Sequence, residues 1–140
     1  MSTTDRIVES LGRLRFASPV LREEDLHAGI HRQLAEDGFA VEHEVQLAPG
    51  CRIDFVVDAR VGIEVKKGKP NWRDVVAQVE RYASAYGFLA IILVFERGMR
   101  RQLPPWWPSP RSAPPERFVG SVGKVPVHFV ALSTNWGVAL

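Results

Sequence analysis

The run FLAIILVF, residues 88 to 95, limits the fold of this chain more than any other stretch. With no polar side chain in it, the run cannot alternate between core and water, so a strand built from it is buried on both faces. A strand covered on both faces needs helices above and below its sheet, which is an α/β arrangement. The 140 residues are enough for one domain with a real core and too few for two.

The remaining segments supply such parts. SPVLREEDLHAGIHRQLAEDG predicts a helix with Ser18 as N-cap, Pro19 at its first position and Gly38 as its stop; Leu26, Ile30 and Leu34 form its apolar stripe. Residues 4 to 15 predict a shorter helix capped by Thr4, with Ile7, Val8, Leu11 and Leu14 on one side. AVEHEVQL, residues 40 to 47, alternates: Val41, His43, Val45 and Leu47 fall on one face and Glu42, Glu44 and Gln46 on the other. After a Pro49-Gly50 turn, residues 51 to 57 and 61 to 66 predict a hairpin around Asp58-Ala59-Arg60. Asn71 caps a helix running to about Tyr86 and stopped at Gly87, and VPVHFVAL, residues 125 to 132, is a last strand. Residues 97 to 117 are rich in proline and show neither period.

Charged residues inside the predicted hairpin are its anomaly. Glu64 and Lys66 point one way, Ile63 and Val65 the other; Arg52, Asp54 and Val56 share a face of the preceding strand. With a three-residue loop, Val57 pairs with Val61 and Asp54 falls opposite Glu64. Facing carboxylates repel, and a bound cation turns the pair favourable. Oxygen ligands with room for water and phosphate suit Mg²⁺ or Mn²⁺ better than Zn²⁺. Lys66, next along the same face, can orient or help deprotonate a water, or neutralise charge on a phosphate. The bland alternative is a surface hairpin whose charges are merely solvated.

Asp54, nine intervening residues and then Glu64-Val65-Lys66 resemble the D…(D/E)xK motif of the PD-(D/E)XK nuclease superfamily, with Ile53 where the motif often has proline. That superfamily includes type II restriction enzymes, Holliday-junction resolvases and RecB-type nucleases. The resemblance covers about residues 19 to 95 and implies a restriction-endonuclease-like αβββαβ core, a central mixed sheet flanked by helices, with an extra C-terminal strand here. It implies Asp54 and Glu64 as metal ligands, the Val65 backbone carbonyl as a further one, and Lys66 as the residue positioning the attacking water. It also implies a glutamate on the first core helix reaching the metal through water; Glu23 fits because it shares a stripe with Leu26, His27 and Ile30. Glu24 and Asp25 are rotated away. Gln78-x-x-x-Tyr82 resembles the additional motif of RecB-type and phage exonucleases, although an aromatic at that spacing also suits a core position.

The implied activity is a Mg²⁺-dependent DNA nuclease, a phosphodiester hydrolase with Mn²⁺ as substitute cofactor and no organic cofactor. A structure-selective endonuclease of recombination, repair or phage and mobile-element metabolism is the leading form; a RecB-type exonuclease or a non-catalytic DNA-binding or assembly subunit are the alternatives. DNA is the expected partner, a homodimer the expected state. Arg52, Lys67, Lys69, Arg73, Arg100 and Arg101 are the expected phosphate contacts, consistent with a bias of 14 Arg to 4 Lys and a pI near 9.0. Trp106 and Trp107 lie among prolines and arginines, a mixture that serves DNA contact, a cover folded over the core or a dimer interface. His27 can stand near the acidic residues; His31 reads as surface, and His43 and His128 as structural. One cysteine excludes internal disulfides, and neither a signal-peptide pattern nor a membrane-length apolar run is present, so an intracellular, cytoplasmic prokaryotic or phage-encoded protein without membrane contact is expected.

Overall fold

A computed structural model describes residues 1–16, 22–68, 71–96, 117–122 and 125–132, the backbone only over 117–122. In chain order it contains α1 (Thr3–Arg13), α2 (Glu23–Glu36), β1 (Val41–Ala48), β2 (Cys51–Val57), β3 (Val61–Lys66), α3 (Trp72–Ala85), β4 (Ala90–Phe95), β5 (Arg117–Val122) and β6 (Val125–Ala131). This is an α/β fold with one six-stranded mixed sheet in the order β1-β2-β3-β4-β6-β5. β1, β2 and β3 form an antiparallel meander; β4 lies parallel to β3 and to β6, and β5 closes the edge antiparallel to β6. Among the described residues, no helix is long and apolar enough to cross a membrane.

The apolar run behaves as its composition demands, since every residue of β4 is buried. Ile92 and Val94 pack with Leu11 of α1 and Ile30 of α2, while Ile91, Leu93 and Phe95 pack with Val75 and Val79 of α3. Helices α1 and α2 thus cover one face of the sheet and α3 the other, leaving two apolar layers separated by the strands. Phe88 is buried just before the strand, whereas Leu89 is half exposed, so the ladder begins at Ala90 rather than at residue 88.

Several element ends differ from the sequence reading. The first helix is capped by Ser2, whose hydroxyl accepts from the Asp5 amide, and not by Thr4, which is buried; Leu14 leaves the helix but keeps its place in the core. The second helix begins at Glu23, where the Asp25 carboxylate accepts from the Arg22 amide; Ser18 and Pro19 lie outside the described residues. Its end holds: Gly38 takes a φ of 90°, a left-handed conformation that costs glycine little. Asp37, just before it, accepts from Ser10, from Arg13 and from Gln33, joining the two helices and holding its carboxyl down at about 2. β5 starts at the end of the segment read as featureless, because pairing with β6 rather than its own interrupted pattern, RFVGSV, makes it a strand.

The largest departure concerns alternation. Val41 packs on the α1–α2 side, and His43 stacks on Phe55 of the same side, yet Val45 and Leu47 pack on the α3 side. Glu44, at φ 54°, reverses the strand between them. Strand β2 reverses at the matching point: Cys51 and Ile53 belong to the α3 side, Phe55 and Val57 to the other. The residue at that reversal is Asp54, which the pairing of His43 with Phe55 and Val45 with Ile53 sets across from Glu44.

Candidate functional site

Regular β2–β3 pairing runs from Val57–Val61 to Phe55–Ile63 and goes no further. Beyond it the two strands fork, and side chains replace the ladder. The Val65 amide donates to Asp54 Oδ2 at 2.8 Å, and the Asp54 amide donates to Glu64 Oε1 at 3.3 Å. The register expected from the three-residue loop therefore holds, and Asp54 and Glu64 meet at the fork. Gly62 permits the close packing just below it. A Cβ there would stand 2.7 Å from Ile53 Cδ1 and 3.1 Å from Phe88, too close for either to remain in place.

Each carboxylate is served from a different face of the sheet. Helix α3 approaches Glu64. The Tyr82 hydroxyl lies 3.0 Å from Glu64 Oε1 and 3.1 Å from the Arg52 carbonyl oxygen, and Gln78 Oε1 accepts from Lys66 Nζ at 2.5 Å. Lys66 Nζ also donates to Glu64 Oε2 at 3.2 Å. Four residues apart on a helix, Gln78 and Tyr82 share one face, so a single docked helix supplies both contacts. Tyr82 is a core residue of the α3 side as well as a hydrogen-bond partner of Glu64.

Helix α2 approaches Asp54. His27 Nε2 lies 3.7 Å from Asp54 Oδ2 and 3.7 Å from Glu23 Oε1 and has no hydrogen-bond partner among the described residues, while His27 Nδ1 is 2.9 Å from His43 Nε2. The imidazole is nine-tenths buried, flanked by His43 and Phe55. Glu23 is not on the buried stripe: its side chain is 65% exposed, and it meets the site from the rim, through His27. First-turn side chains project past the packed face, which helical spacing alone does not show.

Burial sets the electrostatics of the fork. It pushes the carboxyl of Asp54 up, against the lowering influence of the Val65 amide and of Lys66. Glu64 is likewise pushed up, first by burial and then by the charge of Asp54, with Lys66 and Tyr82 pulling the other way. The Tyr82 hydroxyl is pushed up by burial and by Glu64, so it remains a donor. Burial and the neighbouring His27 lower His43. Two carboxyl groups in contact and one ammonium leave a deficit of positive charge that a proton or a cation can fill.

The other expected residues divide. Lys67 is tied to the buried Glu96 at 3.3 Å, so it is no free cation. Arg52 lies 3.9 Å from Glu44 Oε2, and Arg73 is exposed on the first turn of α3. Val65 enters the site through its amide. Lys69, Arg100, Arg101, Trp106 and Trp107 lie outside the described residues. Sequence reasoning set His27 near the acidic residues, and it lies between Asp54 and Glu23. Among the described residues, no three histidine, cysteine, aspartate or glutamate side chains converge as a ready metal cage. Comparison with protein-family models, with curated proteins and with solved structures finds no match.

Proposed function

We propose that this protein is a divalent-cation-dependent nuclease with a restriction-endonuclease-like core, acting on DNA through Asp54, Glu64 and Lys66. The observation that carries the reading is the fork: a half-buried and a buried carboxyl group in contact, one ammonium beside them, and neutral donors holding each in place. A strand pair with no chemistry to perform would close with apolar residues, as this one does at its other end. The αβββαβ order of α2 through β4 and the Asp54…Glu64-x-Lys66 spacing support the same reading.

The donor set fits a hard divalent ion. Mg²⁺ is commonly held by one or two carboxylates, with water and substrate phosphate completing its shell, so a protein cage of three is not required. Asp54 and Glu64 would hold it, the Val65 carbonyl would offer a further oxygen, and Glu23 would act through water from the rim. The uncommitted Nε2 of His27 beside Asp54 adds a nitrogen that suits Mn²⁺ better than Mg²⁺. When bound, such an ion polarises a phosphoryl oxygen and acidifies water.

The chain's own residues do the rest. In hydrolysis a water oxygen bonds to phosphorus, the ester P–O bond breaks, and the departing oxygen takes up a proton. Lys66, held between Glu64 and Gln78, neutralises charge that grows on the phosphoryl oxygens. Tyr82 fixes Glu64 Oε1, the Val65 amide fixes Asp54 Oδ2, and His27 borders Asp54. Cutting both strands of a duplex would call for a homodimer.

The test is incubation with Mg²⁺, Mn²⁺, Ca²⁺ or chelator on linear, nicked, flapped, four-way-junction and circular DNA. Cleavage with Mg²⁺ or Mn²⁺, little with Ca²⁺ and none with chelator is expected. Cut circles identify an endonuclease, and cleavage confined to free ends an exonuclease. Robust cleavage in excess chelator would rule out the cation, and a protein that binds every substrate but cuts none would be an assembly subunit.

A further inference from the structure

Two grooves reach the fork from opposite faces, and their charges differ. The α2-side groove, about 740 Å³, is lined by four acids including Glu23 and Asp54, by Arg22 and Arg52, and by three histidines. Both of its guanidinium groups are already engaged: Arg22 pairs with Glu24 at 2.7 Å and with Asp25 at 3.2 Å, and Arg52 lies 3.9 Å from Glu44. Without a bound cation, four carboxylates against two engaged guanidinium groups leave this groove unfavourable to a phosphate chain.

The α3-side groove is smaller, about 270 Å³, and is lined by Lys66, Lys67 and Arg81 with Asp74 as its one acid. Lys66 and Lys67 are each matched to a glutamate. Arg81 is different. It is exposed, and among the described residues no carboxylate lies within ion-pair distance of it. It follows Gln78 by three positions, so it stands on the face of α3 that carries the acceptor of Lys66. An unengaged guanidinium in line with the fork is the group best suited to a phosphate, which it can grip with two parallel hydrogen bonds.

We infer that a phosphodiester chain approaches the fork over the α3 side, past Lys66 and Gln78, with Arg81 as a phosphate-binding residue, and that Arg22 and Arg52 of the α2-side groove add no phosphate contact. The choice of partner rests on the nuclease reading, but the route does not depend on turnover. Because the phosphate contact is one charge on an exposed helix face, it acts on affinity for any sequence and on the response to salt.

Binding measured without cleavage separates the two claims. Fluorescence anisotropy with end-labelled duplex and single-stranded DNA, in chelator and across a salt series, reads affinity and the number of ions released. Arg81→Ala should weaken binding by about fivefold and flatten the slope of log affinity against log salt by about one ion; Arg81→Glu should weaken it further. Arg22→Ala and Arg52→Ala should change affinity by less than about twofold. Because Arg81 is exposed, a melting temperature equal to that of the unaltered protein is expected and confirms that the fold is intact. If Arg52→Ala or Arg22→Ala reproduces the loss and Arg81→Ala does not, the route is wrong, and so it is if the unaltered protein binds no DNA. A protein that binds as described yet never cleaves keeps the route and loses the nuclease.

Discussion

The β2–β3 hairpin is built in two different ways at its two ends. At the turn end, Val57 faces Val61, both are fully buried, and backbone bonds carry the pairing. Asp58 spends its side chain on local structure there, accepting from the Ala40 amide at 2.8 Å. At the open end, a few residues along the same strands, the carboxylates of Asp54 and Glu64 take the places that backbone oxygens would occupy. The difference shows that an acidic side chain can complete a sheet and still be electrostatically unsatisfied. Asp58 stands alone and is met by a backbone amide; the half-buried Asp54 and the buried Glu64 press together and call for a compensating charge.

Changes at the open end should fall on activity, and changes at the turn end on stability. The largest effect is expected for Asp54→Asn, which keeps an oxygen for the Val65 amide but removes one of two charges that would hold a cation. Cleavage should fall by about 10³-fold or more, the scale of losing several kcal/mol of metal-based stabilisation. Urea unfolding without added cation should show equal or greater stability, since the carboxylate repulsion is gone; a loss above about 2 kcal/mol would mean that Asp54 is structural.

Next in size is Lys66→Ala. Single-turnover cleavage with saturating enzyme should slow by about 10²-fold, as for the loss of one electrostatic contact to the transition state. Normal cleavage at saturation would reduce Lys66 to a phosphate clamp.

Val57→Ala tests the other end. It should cost about 2 kcal/mol in chemical unfolding, the range for truncating a fully buried aliphatic side chain, and leave the saturated cleavage rate alone. An effect on rate as large as that of Lys66→Ala would erase the distinction between the two ends.

A pH series sharpens it further. Both carboxyl groups of the fork are raised above their ordinary values of 3.8 and 4.5, so over that window the folded protein holds protons that the unfolded chain has released. Stability without cation should therefore fall as pH rises through and above those values, and level off once both groups are ionised. Asp54→Asn should flatten the fall; an unchanged profile would place its cause elsewhere.

The smallest effect belongs to the turn. Ala59 sits at φ 55°, a left-handed conformation uncomfortable for a residue with a Cβ. Ala59→Gly should raise the unfolding free energy by about 0.5 kcal/mol, strain relief being partly offset by the greater freedom of the unfolded chain. Destabilisation would show that Ala59 is held without strain.

Reading the sequence worked where a pattern was local and unbroken. The bounds of β2 and β3, the burial of β4 and the Asn71 cap all come from spacing along one strand or one helix. It failed where the chain breaks its own period or reaches far away. No count of alternating residues anticipates that Glu44 and Asp54 each reverse a strand. The pairing of Lys67 with Glu96 is set by how separate elements pack. The same packing decides that Lys67 is matched and Arg81 is not.

The split supply of the fork also has a consequence in time. A hairpin of this kind forms in microseconds, well before distant segments meet. Yet Gln78 and Tyr82 arrive only with α3, and that helix is placed by the crossover that lays β4 alongside β3. Contacts of such separation close late in folding. A chain whose meander has formed but whose crossover has not still carries both carboxylates, with Lys66 unheld and Glu64 without its hydroxyl partner. Whatever the fork does chemically, it begins to do only when the centre of the sheet is in place.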